Sequence, residues 1–355
     1  MRPLRLTILV PGALDARTGG TRYDVRLAEA LAEAGHDCAL VPVDGAFPEP
    51  DSIARKALAH AFAALPADRL AVVDGLCLAT IADVDPLPPF VALMHHPADR
   101  ESGLDPATAG RLRDRETRAL ARAARVVATS GHTAALLARD YAVARDRLAV
   151  VPPGVSVTVG PSARRLRPAL PLRILVVASV TPRKGYDVLV EALGRLRDAG
   201  GMPNFRIDCY GSLDREPALA AGMQKMIDAR GLAGLVHLHG EVDETELACA
   251  YGSADLFVHT AHYEGYGMAV ADALAAGLPV VATAGGAVAD LVPHSAGVLV
   301  PPGDATALAD ALAHVAGDTL LRVSLAEGAR RAGAALSDWS AAAARFAAEC
   351  ATVAA

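Results

Sequence analysis

The feature that most constrains this chain is a regular alternation between short apolar runs and longer segments of helical periodicity. The runs are rich in valine, isoleucine and leucine, and most are followed by a segment with an amphipathic helical pattern. Such runs are typical of strands buried on both faces of a parallel sheet, with helices as crossover connections. The sequence therefore predicts an α/β fold.

Two series of these units are separated by a stretch without periodicity. Residues 152–171 contain five prolines, which is typical of a linker. We predict two Rossmann-like domains facing across a cleft, formed by residues 1–155 and 171–336, with residues 156–170 as the linker. Residues 337–355 are expected to form a helix that packs back toward the N-terminal domain. The predicted strands are Leu4–Val10, Cys38–Val43, Leu70–Val73, Phe90–Met94, Arg125–Thr129, Leu148–Val151, Leu172–Ala178, Phe205–Tyr210, Leu235–His239, Leu256–His259, Pro279–Ala282 and Val298–Val300.

The composition excludes several classes of function. The chain carries 34 basic and 40 acidic side chains, a formal net charge of −6. Nucleic acid is not an expected partner, because phosphate neutralisation needs a basic surface. The five cysteines are odd in number and never spaced C-x-x-C, so neither a disulfide framework nor a thiolate zinc site is expected. A reducing cytoplasm fits this cysteine pattern.

No secretory or membrane-spanning segment is predicted. The apolar run Leu4–Val10 closes on Pro11-Gly12 without a cleavage site, so we interpret it as the first strand. The uncharged stretch from residue 273 to residue 289 is broken by Pro279 and three glycines, which makes it too short and irregular for a membrane helix. We therefore expect a cytoplasmic protein.

A pair of glycines follows the first predicted strand. The sequence Thr18-Gly19-Gly20-Thr21 precedes a predicted helical segment. Glycines let backbone amides approach an anion, and the start of the helix would add its own amides. An ordinary turn is the alternative interpretation. The lack of a full G-x-G-x-x-G pattern argues against a dinucleotide site.

Two histidines follow a later strand. His95 and His96 come after the run ending at Met94 and before Pro97. In open α/β sheets the carboxyl ends of the strands are where ligands bind. A histidine there suits hydrogen bonding to a substrate hydroxyl or a departing phosphate. A histidine held by loop backbone is the alternative, and His95 is favoured because it directly follows the strand.

Adjacent cations occupy a strand-to-helix turn in the second series. Arg183 and Lys184 lie there, and Lys184 is one of only three lysines in the chain. Two cations beside the free amides of a helix start suit a diphosphate. A solvated basic turn is the alternative.

Two carboxylates eight residues apart form the next motif. Glu264 opens a turn, and Asp272 follows about two helical turns later on roughly the same side. Such a pair suits neighbouring hydroxyls of a sugar, and Gly265 and Gly267 would let phosphate oxygens approach the helix start. The alternative is a helix-terminal Glu264 and a solvated Asp272.

These motifs together resemble the family 4 retaining glycosyltransferases with the glycosyltransferase B fold, over nearly the whole chain. The resemblance rests on Gly19-Gly20, His95, Val151-Pro-Pro-Gly154-Val155, Arg183-Lys184, Glu264 with Asp272, Gly285-Gly286 and Leu299-Val-Pro-Pro-Gly303-Asp304. It implies metal-independent transfer of a sugar from a nucleoside diphosphate sugar with retained anomeric configuration. In the family's usual mechanism the departing phosphate takes the acceptor proton, so no protein base is required.

The resemblance also implies roles for individual residues. His95 and Glu264 would be the catalytic residues, both in contact with the transferred sugar. Arg183 and Lys184 would neutralise the diphosphate, where positive charge stabilises the leaving group, and Asp272 would hold the ribose. The remaining donor-binding residues would be Gly19, Gly20, Gly265, Tyr266, Gly267 and Met268.

The expected partners follow from the same resemblance. No cofactor or metal is expected beyond the nucleotide sugar, and a uridine diphosphate sugar is favoured over guanosine or adenosine ones. The acceptor is a small molecule, a glycan or a lipid, and the oligomeric state stays open.

Two departures from the family pattern keep other functions open. Asp272 stands where the family usually has glutamate, and Ala178-Ser179 replaces a frequent Gly-Arg. Arg183 is a candidate to supply the missing arginine charge. The alternatives are a catalytically weak sugar-nucleotide binder and a nucleotide-sugar epimerase of the same fold.

Other charged clusters receive structural interpretations. Asp83-Val-Asp85 lies in a connecting loop, His237 and His239 share one face of a strand, and Asp243 suits a helix N-cap. Five arginines at helical spacing form a stripe that suits either solvent or peripheral contact with anionic headgroups at the inner face of a membrane. The stripe is Arg111, Arg115, Arg118, Arg122 and Arg125.

Overall fold

The chain divides into two compact units. A computed structural model describes residues 2–15, 18–156, 171–200 and 204–354. The first unit comprises Met1–Gly154 with Ser337–Ala355, and the second comprises Val155–Leu336. Nearly all of the predicted linker, residues 157–170, lies outside the described residues, so the predicted domain limits stay a prediction.

The first unit is built on a six-stranded parallel sheet with the strand order β2-β1-β3-β4-β5-β6. Every residue of the third and fourth strands is buried, which explains their unbroken apolar sequences. The elements are β1 (Arg5–Pro11), α1 (Gly19–Glu33), β2 (Asp37–Val43), α2 (Ser52–Ala63), β3 (Leu70–Asp74), α3 (Gly75–Ile81), β4 (Phe90–Met94), α4 (Pro106–Arg122), β5 (Arg125–Ala128), α5 (Gly131–Asp140) and β6 (Leu148–Val150).

The second unit repeats this plan with the strand order β12-β11-β10-β7-β8-β9, again parallel. Its elements are β7 (Leu172–Val177), α6 (Tyr186–Asp198), β8 (Phe205–Tyr210), α7 (Pro217–Ala229), β9 (Val236–Gly240), α8 (Glu244–Ser253), β10 (Leu256–His259), α9 (Met268–Ala275), β11 (Val280–Thr283), α10 (Val288–Leu291), β12 (Gly297–Val300), α11 (Ala305–Gly317) and α12 (Thr319–Ala334).

The second sheet separates two apolar cores. Ile174 and Val176 of β7 belong to one core, and Leu175 between them belongs to the other. Successive side chains of a strand point to opposite faces, so a strand covered by helices on both sides must be apolar throughout. This pattern confirms the predicted doubly covered parallel sheets.

The last helix, α13 (Trp339–Ala354), belongs to the first unit although it follows the second in the chain. Its Glu349 accepts a hydrogen bond from Arg125 Nε at 2.7 Å, and the Trp339 ring meets the ring of Tyr23 edge-on at 5.5 Å between centroids. Gly154 also lies against Trp339, because a Cβ at residue 154 would fall 2.3 Å from the Trp339 nitrogen. The predicted return of this helix to the N-terminal domain is confirmed.

The structure differs from the sequence predictions in two helices. Helix α3 was not predicted, because a buried apolar segment of seven residues has no amphipathic period to detect. Helix α4 begins at Pro106, one turn before the first arginine of the predicted stripe, since proline suits the first helical turn and Asp105 accepts hydrogen bonds from the next amides.

Candidate active site

Two loops at the carboxyl ends of β7 and β10 are joined by backbone hydrogen bonds. The His262 amide donates to the Arg183 carbonyl at 2.8 Å, and the Thr260 hydroxyl donates to the Lys184 carbonyl at 2.9 Å. Gly185 makes this approach possible, because its φ is +65° and a Cβ there would lie 2.2 Å from the backbone carbonyl oxygen of Thr260. The turn carrying Arg183 and Lys184 is therefore fixed against the loop that leads to Glu264.

Three basic side chains converge on the Glu264 carboxylate. Lys184 Nζ lies 2.5 Å and His259 Nε2 2.9 Å from Oε1, and Arg183 Nη1 lies 3.4 Å from Oε2. The same Arg183 nitrogen donates to the Tyr263 carbonyl at 2.9 Å. The predicted diphosphate cations and the predicted sugar-contacting carboxylate therefore form one cluster.

This convergence controls the ionisation of Glu264. Burial alone would raise the pKa of the Glu264 carboxyl, but the charge of Lys184, the hydrogen bond from His259 and the charge of Arg183 outweigh it. The pKa is held well below its usual range. Glu264 is therefore an anion at neutral pH and cannot donate a proton.

Two glycines bring another loop against Glu264. Gly286 has φ +64°, and a Cβ there would lie 2.2 Å from the Glu264 carbonyl oxygen; at Gly285 it would lie 2.5 Å from that of His262. The Ala287 amide donates to the same Glu264 carbonyl at 2.9 Å. Only glycine permits this packing, which fixes the backbone that carries the carboxylate.

The segment from Glu264 to Asp272 corrects one prediction. Helix α9 begins at Met268 after Gly267, which has φ +95°, so the spacing does not contain two helical turns and the expected helical alignment of the carboxylates is wrong. Asp272 is buried, and its Oδ1 accepts a hydrogen bond from the Ser156 amide at 3.0 Å. Burial and the neighbouring Asp272 raise the pKa of Tyr266 to about 12.

In the first unit, the glycine pair lies inside a helix rather than before it. Gly19 and Gly20 are the first two residues of α1, whose N-cap Thr18 accepts a hydrogen bond from the Thr21 amide at 2.9 Å. Their amides belong to the first helical turn, where amides have no partner within the helix. A Cβ at Gly20 would lie 3.2 Å from the His95 ring, so this glycine lets His95 approach the helix start.

His95 lies between two buried carboxylates. Its Nε2 is 3.3 Å from Asp24 Oδ1 and 3.1 Å from Asp74 Oδ2. We call these three side chains the His95 cluster. Burial lowers the pKa of His95, but Asp24 and Asp74 outweigh it and raise the pKa to about 10. The adjacent His96 turns to another partner, with Nε2 2.6 Å from Glu101 Oε1.

The sequence reasoning missed three residues of these clusters. His259 ends β10 and Asp74 ends β3, so the rule that drew attention to His95 also applies to them. Asp24 lies at helical spacing before the buried Leu27, Ala28 and Leu31, where an apolar residue is expected. A charged residue within an apolar stripe was the available signal.

The other charged clusters are mostly paired. Asp83 and Asp85 of the connecting loop bind arginines of the stripe. Arg125 begins β5 instead of lying on α4. Membrane contact by this partly neutralised stripe stays a prediction. The pairs are Arg111–Glu49, Arg115–Asp83, Arg118–Asp83, Arg122–Asp85 and Arg125–Glu349.

The structural interpretations of His239 and Asp243 are confirmed. His239 lies on the edge strand β9, with Nε2 2.7 Å from Asp208 Oδ1 and its ring stacked on Tyr210. Asp243 caps α8 by accepting a hydrogen bond from the Glu246 amide at 2.8 Å.

The His95 cluster also brings one imidazole and two carboxylates close together. Its ligand atoms lie within 4.8 Å of one another, and it is the one such group of three among the residues described. Within the same described ranges, no helix combines the length and apolar character needed to cross a bilayer.

Comparison with known proteins places the chain among the glycosyltransferases. Residues 164–332 match the family model described as "Glycosyl transferases group 1", and residues 71–159 match "Glycosyltransferase Family 4". A D-inositol 3-phosphate glycosyltransferase from Xylanimonas cellulosilytica is 34% identical over 221 residues, which cover 58% of this chain and 52% of that protein. The chain thus spans about half the length of that relative.

Solved structures give the same fold. Sucrose-phosphate synthase from Thermosynechococcus elongatus has a TM-score of 0.81 at 22% identity, over 98% of both chains. Anabaena Alr3699/HepE in complex with UDP and glucose has a TM-score of 0.76 at 18% identity, over 98% of this chain and 100% of that one. The predicted α/β fold of the glycosyltransferase B type is confirmed, and the two family matches show that the chain is a glycosyltransferase with a family 4 domain followed by a group 1 domain.

Proposed function

We propose that this chain is a retaining glycosyltransferase that moves a sugar from a nucleoside diphosphate sugar to an acceptor hydroxyl without a metal ion. The observation that carries the proposal is the convergence of Arg183, Lys184 and His259 on the buried Glu264. The family membership of the chain supports the same reaction class.

The two cations suit a diphosphate. The Arg183 guanidinium offers a planar set of donors and the Lys184 ammonium a compact charge, and both side chains keep some exposure to solvent, 15% and 19%. In the free protein Glu264 neutralises part of their charge. A diphosphate that binds beside them provides a second anion, so the cations serve both groups without a divalent metal.

Backbone amides extend this anion site. Helix α9 begins directly after Gly267 and belongs to the same unit as the cations. The first amides of a helix have no partner within it and carry partial positive charge. In the proposed complex, the amides near Gly267 and Met268 face donor phosphate oxygens, while Asp272 binds the ribose hydroxyls.

In the proposed reaction the bond between the anomeric carbon and the diphosphate oxygen breaks, and the acceptor oxygen bonds to that carbon on the same face. The departing phosphate oxygen takes the proton of the acceptor hydroxyl, so no protein base is needed. Arg183 and Lys184 stabilise the charge that develops on the diphosphate. Glu264, held as an anion, contacts the transferred sugar but cannot serve as the acid.

The first unit contributes His95 and the glycine pair. His95 donates a hydrogen bond to an oxygen of the transferred sugar or of the departing phosphate, and Gly19 and Gly20 offer backbone amides nearby. We place the acceptor among small molecules, glycans and lipids, and the enzyme in the cytoplasm with the arginine stripe toward the membrane face. A uridine diphosphate sugar is the favoured donor, in line with the UDP bound to the Anabaena relative by fold.

Two functions other than glycosyl transfer remain as alternatives. Asp272 and Ser179 depart from the family pattern, which suits a catalytically weak sugar-nucleotide binder. A nucleotide-sugar epimerase would give a changed sugar on the nucleotide and leave the acceptor unchanged. Product analysis distinguishes both from transfer.

The donor site is tested by thermal shift with uridine, guanosine and adenosine diphosphates and their sugars, since a ligand that binds the folded state raises the melting temperature. We expect one base to give a shift that Lys184→Ala abolishes. Lys225→Ala is the matched control, because Lys225 is an exposed lysine on α7 of the same unit. Equal shifts in both variants would remove Lys184 from the donor site.

Transfer itself is tested with the identified donor and a panel of hydroxyl acceptors. We expect release of nucleoside diphosphate that depends on acceptor, a product with the donor's anomeric configuration by NMR, and full activity in the presence of EDTA. Inverted product would overturn the retaining mechanism. Loss of activity in EDTA that manganese restores would overturn metal independence.

A further inference from the structure

The His95 cluster joins three elements of the first unit at one nitrogen. Asp24 comes from α1, Asp74 from the end of β3, and His95 from the residue after β4. Asp24 is 0% and Asp74 1% exposed, while the His95 side chain keeps 16%. Two fully buried carboxylates therefore face one partly exposed imidazole.

Asp74 is held in a single orientation. Its Oδ1 accepts a hydrogen bond from the Leu76 amide at 2.7 Å as the N-cap of α3, which directs Oδ2 to His95. The unpredicted helix α3 thus orients the carboxylate. Asp24 approaches the same Nε2 from another side. Buried carboxylates are unfavourable without a positive partner, so this pairing favours a proton on the imidazole nitrogen between them.

We propose that Asp24 and Asp74 are positioning residues that keep Nε2 of His95 protonated and turned inward, so that Nδ1 is the nitrogen presented to substrate. The proposal rests on the function proposed above, which places His95 against the transferred sugar or the departing phosphate. It goes beyond that function by assigning roles to two acids that contact His95 rather than substrate.

The walls around the ring favour one orientation. Tyr23 meets His95 edge-on at 5.1 Å between ring centroids, and its hydroxyl donates to the Val151 carbonyl at 3.1 Å. Gly20 lies against the edge of the ring that carries Cδ2 and Nε2, since a Cβ there would be 3.2 Å from Cδ2 and 3.6 Å from Nε2. The Thr129 hydroxyl donates to the His95 carbonyl at 3.2 Å. If the imidazole were rotated by 180° about its Cβ–Cγ bond, Cε1 instead of Nε2 would face the two buried carboxylates.

The electrostatics follow from this geometry. The carboxylates raise the pKa of His95 to about 10, and burial followed by the charge of Asp74 raises the pKa of Asp24 to about 7. Two thiols near the cluster are neutral, because burial raises the pKa of the Cys38 thiol to about 12 and that of Cys77 well above its usual value. At neutral pH, His95 is an imidazolium whose Nδ1 donates a hydrogen bond.

This assignment specifies which substrate atom His95 meets. An imidazolium nitrogen is a donor only, so its partner is an oxygen acceptor such as a sugar hydroxyl or a phosphate oxygen. His95 therefore does not abstract the acceptor proton. A divalent cation bound by the same three side chains would need Nε2 without its proton. A bound cation and the proposed protonated Nε2 therefore exclude each other.

The first test needs no catalysis. The ring signals of His95, assigned by comparison with His95→Gln, are followed by NMR from pH 5 to pH 9 in the wild type, Asp24→Asn and Asp74→Asn. We expect His95 to keep both ring protons across this range in the wild type, while its signals respond to Asp24, and to lose one ring proton within this range in both variants. Glu33→Gln, an exposed carboxylate on the same helix α1, should leave the wild-type behaviour unchanged. A wild-type His95 that titrates near its usual pKa would overturn the pairing.

The second test separates positioning from a merely structural role. Asp74→Asn keeps an oxygen that accepts from the Leu76 amide, so this variant can be measured even if Asp24→Asn folds poorly. We expect both variants to bind the nucleotide like the wild type, to lose roughly 100-fold in kcat, the scale of a positioned ionisable group, and to gain a pH dependence absent from the wild type. If the wild type has proven turnover and both variants keep its kcat and its pH profile, the proposal is overturned.

A third measurement addresses a cation directly. Isothermal titration of the wild type with Zn²⁺ or Mn²⁺ should show no stoichiometric site that Asp24→Asn removes. Such a site would overturn the proton-held assignment. If no donor gives turnover but His95 stays protonated in the wild type and loses a proton in both variants, the pairing stands and only the proposed glycosyl transfer fails.

Discussion

The Lys184 ammonium lies 2.5 Å from Oε1 of Glu264, although the two residues are 80 positions apart in the chain. His259 contacts the same oxygen at 2.9 Å, and Glu264 is only 8% exposed. The cation proposed for the donor diphosphate is thus already engaged by the carboxylate proposed for the sugar. Donor binding and the state of Glu264 must be coupled, because both depend on the same positive charge.

Removing the charge of Glu264 should separate binding from turnover. In Glu264→Gln, Arg183 and Lys184 lose their competing anion, so we expect nucleoside diphosphate to bind at least as tightly as in the wild type. Transfer should fall roughly 100-fold, because the anionic contact with the transferred sugar is gone. Calorimetric binding and initial rates measure the two effects, with circular dichroism to confirm folding.

Glu246→Gln is the control, since Glu246 is an exposed carboxylate on α8 of the same unit. It should change neither quantity. Loss of nucleotide binding in Glu264→Gln, as large as in Lys184→Ala, would show that Glu264 supports the cations instead of competing with the donor.

Gly286 should tolerate no side chain. A Cβ at this φ of +64° would lie 2.2 Å from the Glu264 carbonyl oxygen, so Gly286→Ala combines left-handed strain with a backbone clash. We expect a loss of about 2 kcal/mol or more in unfolding free energy and a loss of activity. Urea denaturation measures the first effect.

Gly222→Ala is the matched control in the same unit. Gly222 lies within α7, and a Cβ there meets nothing within 4 Å. Alanine in an open helical position should stabilise by about 0.5–1 kcal/mol. Equal effects of the two substitutions would contradict the tight packing of the Gly285-Gly286 loop against Glu264.

The sheets could be predicted because their information is local. A strand such as β7 is an apolar run, and its composition indicates that both of its faces are buried. Ile174, Leu175 and Val176 show this pattern. The return of α13 to the first unit could also be predicted from the family resemblance. Helix α3 could not, because its seven residues are buried and carry no period.

The candidate site could be predicted in its parts but not in its pairings. Arg183, Lys184 and Glu264 each stood out beside a strand end, yet no local pattern brings His259 to the same carboxylate. The helical alignment of Glu264 and Asp272 failed because the left-handed φ of Gly267 delays the start of α9. Pairings between distant residues depend on packing that a single sequence does not display.

Stability should fall as pH rises from about 4.5 to about 8 because of Glu116. Burial, opposed by the hydrogen bond from the Ala98 amide, raises the pKa of this carboxyl to about 8. A carboxyl whose pKa is raised in the folded state stabilises below its ordinary pKa and loses that contribution as pH rises through the folded value. Wild-type unfolding free energy should therefore decline between pH 4.5 and pH 8 through this group.

Glu116→Gln tests this dependence. The amide oxygen can still accept from the Ala98 amide, which donates to Glu116 Oε1 at 3.0 Å. We expect the variant to be about 1–3 kcal/mol more stable than the wild type at pH 8 and similar to it at pH 5. Urea denaturation at both pH values measures the difference, with exposed Glu33→Gln as the control. A difference independent of pH would contradict the raised pKa.

Asp272→Glu tests the ribose contact proposed for this carboxylate. Asp272 is 2% exposed, and its Oδ1 accepts from the Ser156 amide at 3.0 Å, so in the free protein it orders the chain where the second unit begins. A carboxylate that binds ribose gains reach from one extra methylene, and donor affinity should be preserved or raised. Asp272→Asn keeps an oxygen for Ser156 but loses the charge, and should weaken nucleotide binding about 10-fold, the scale of a charge-assisted hydrogen bond. If Asp272→Glu abolishes binding while Asp272→Asn preserves it, the residue serves the Ser156 contact and the ribose needs another partner.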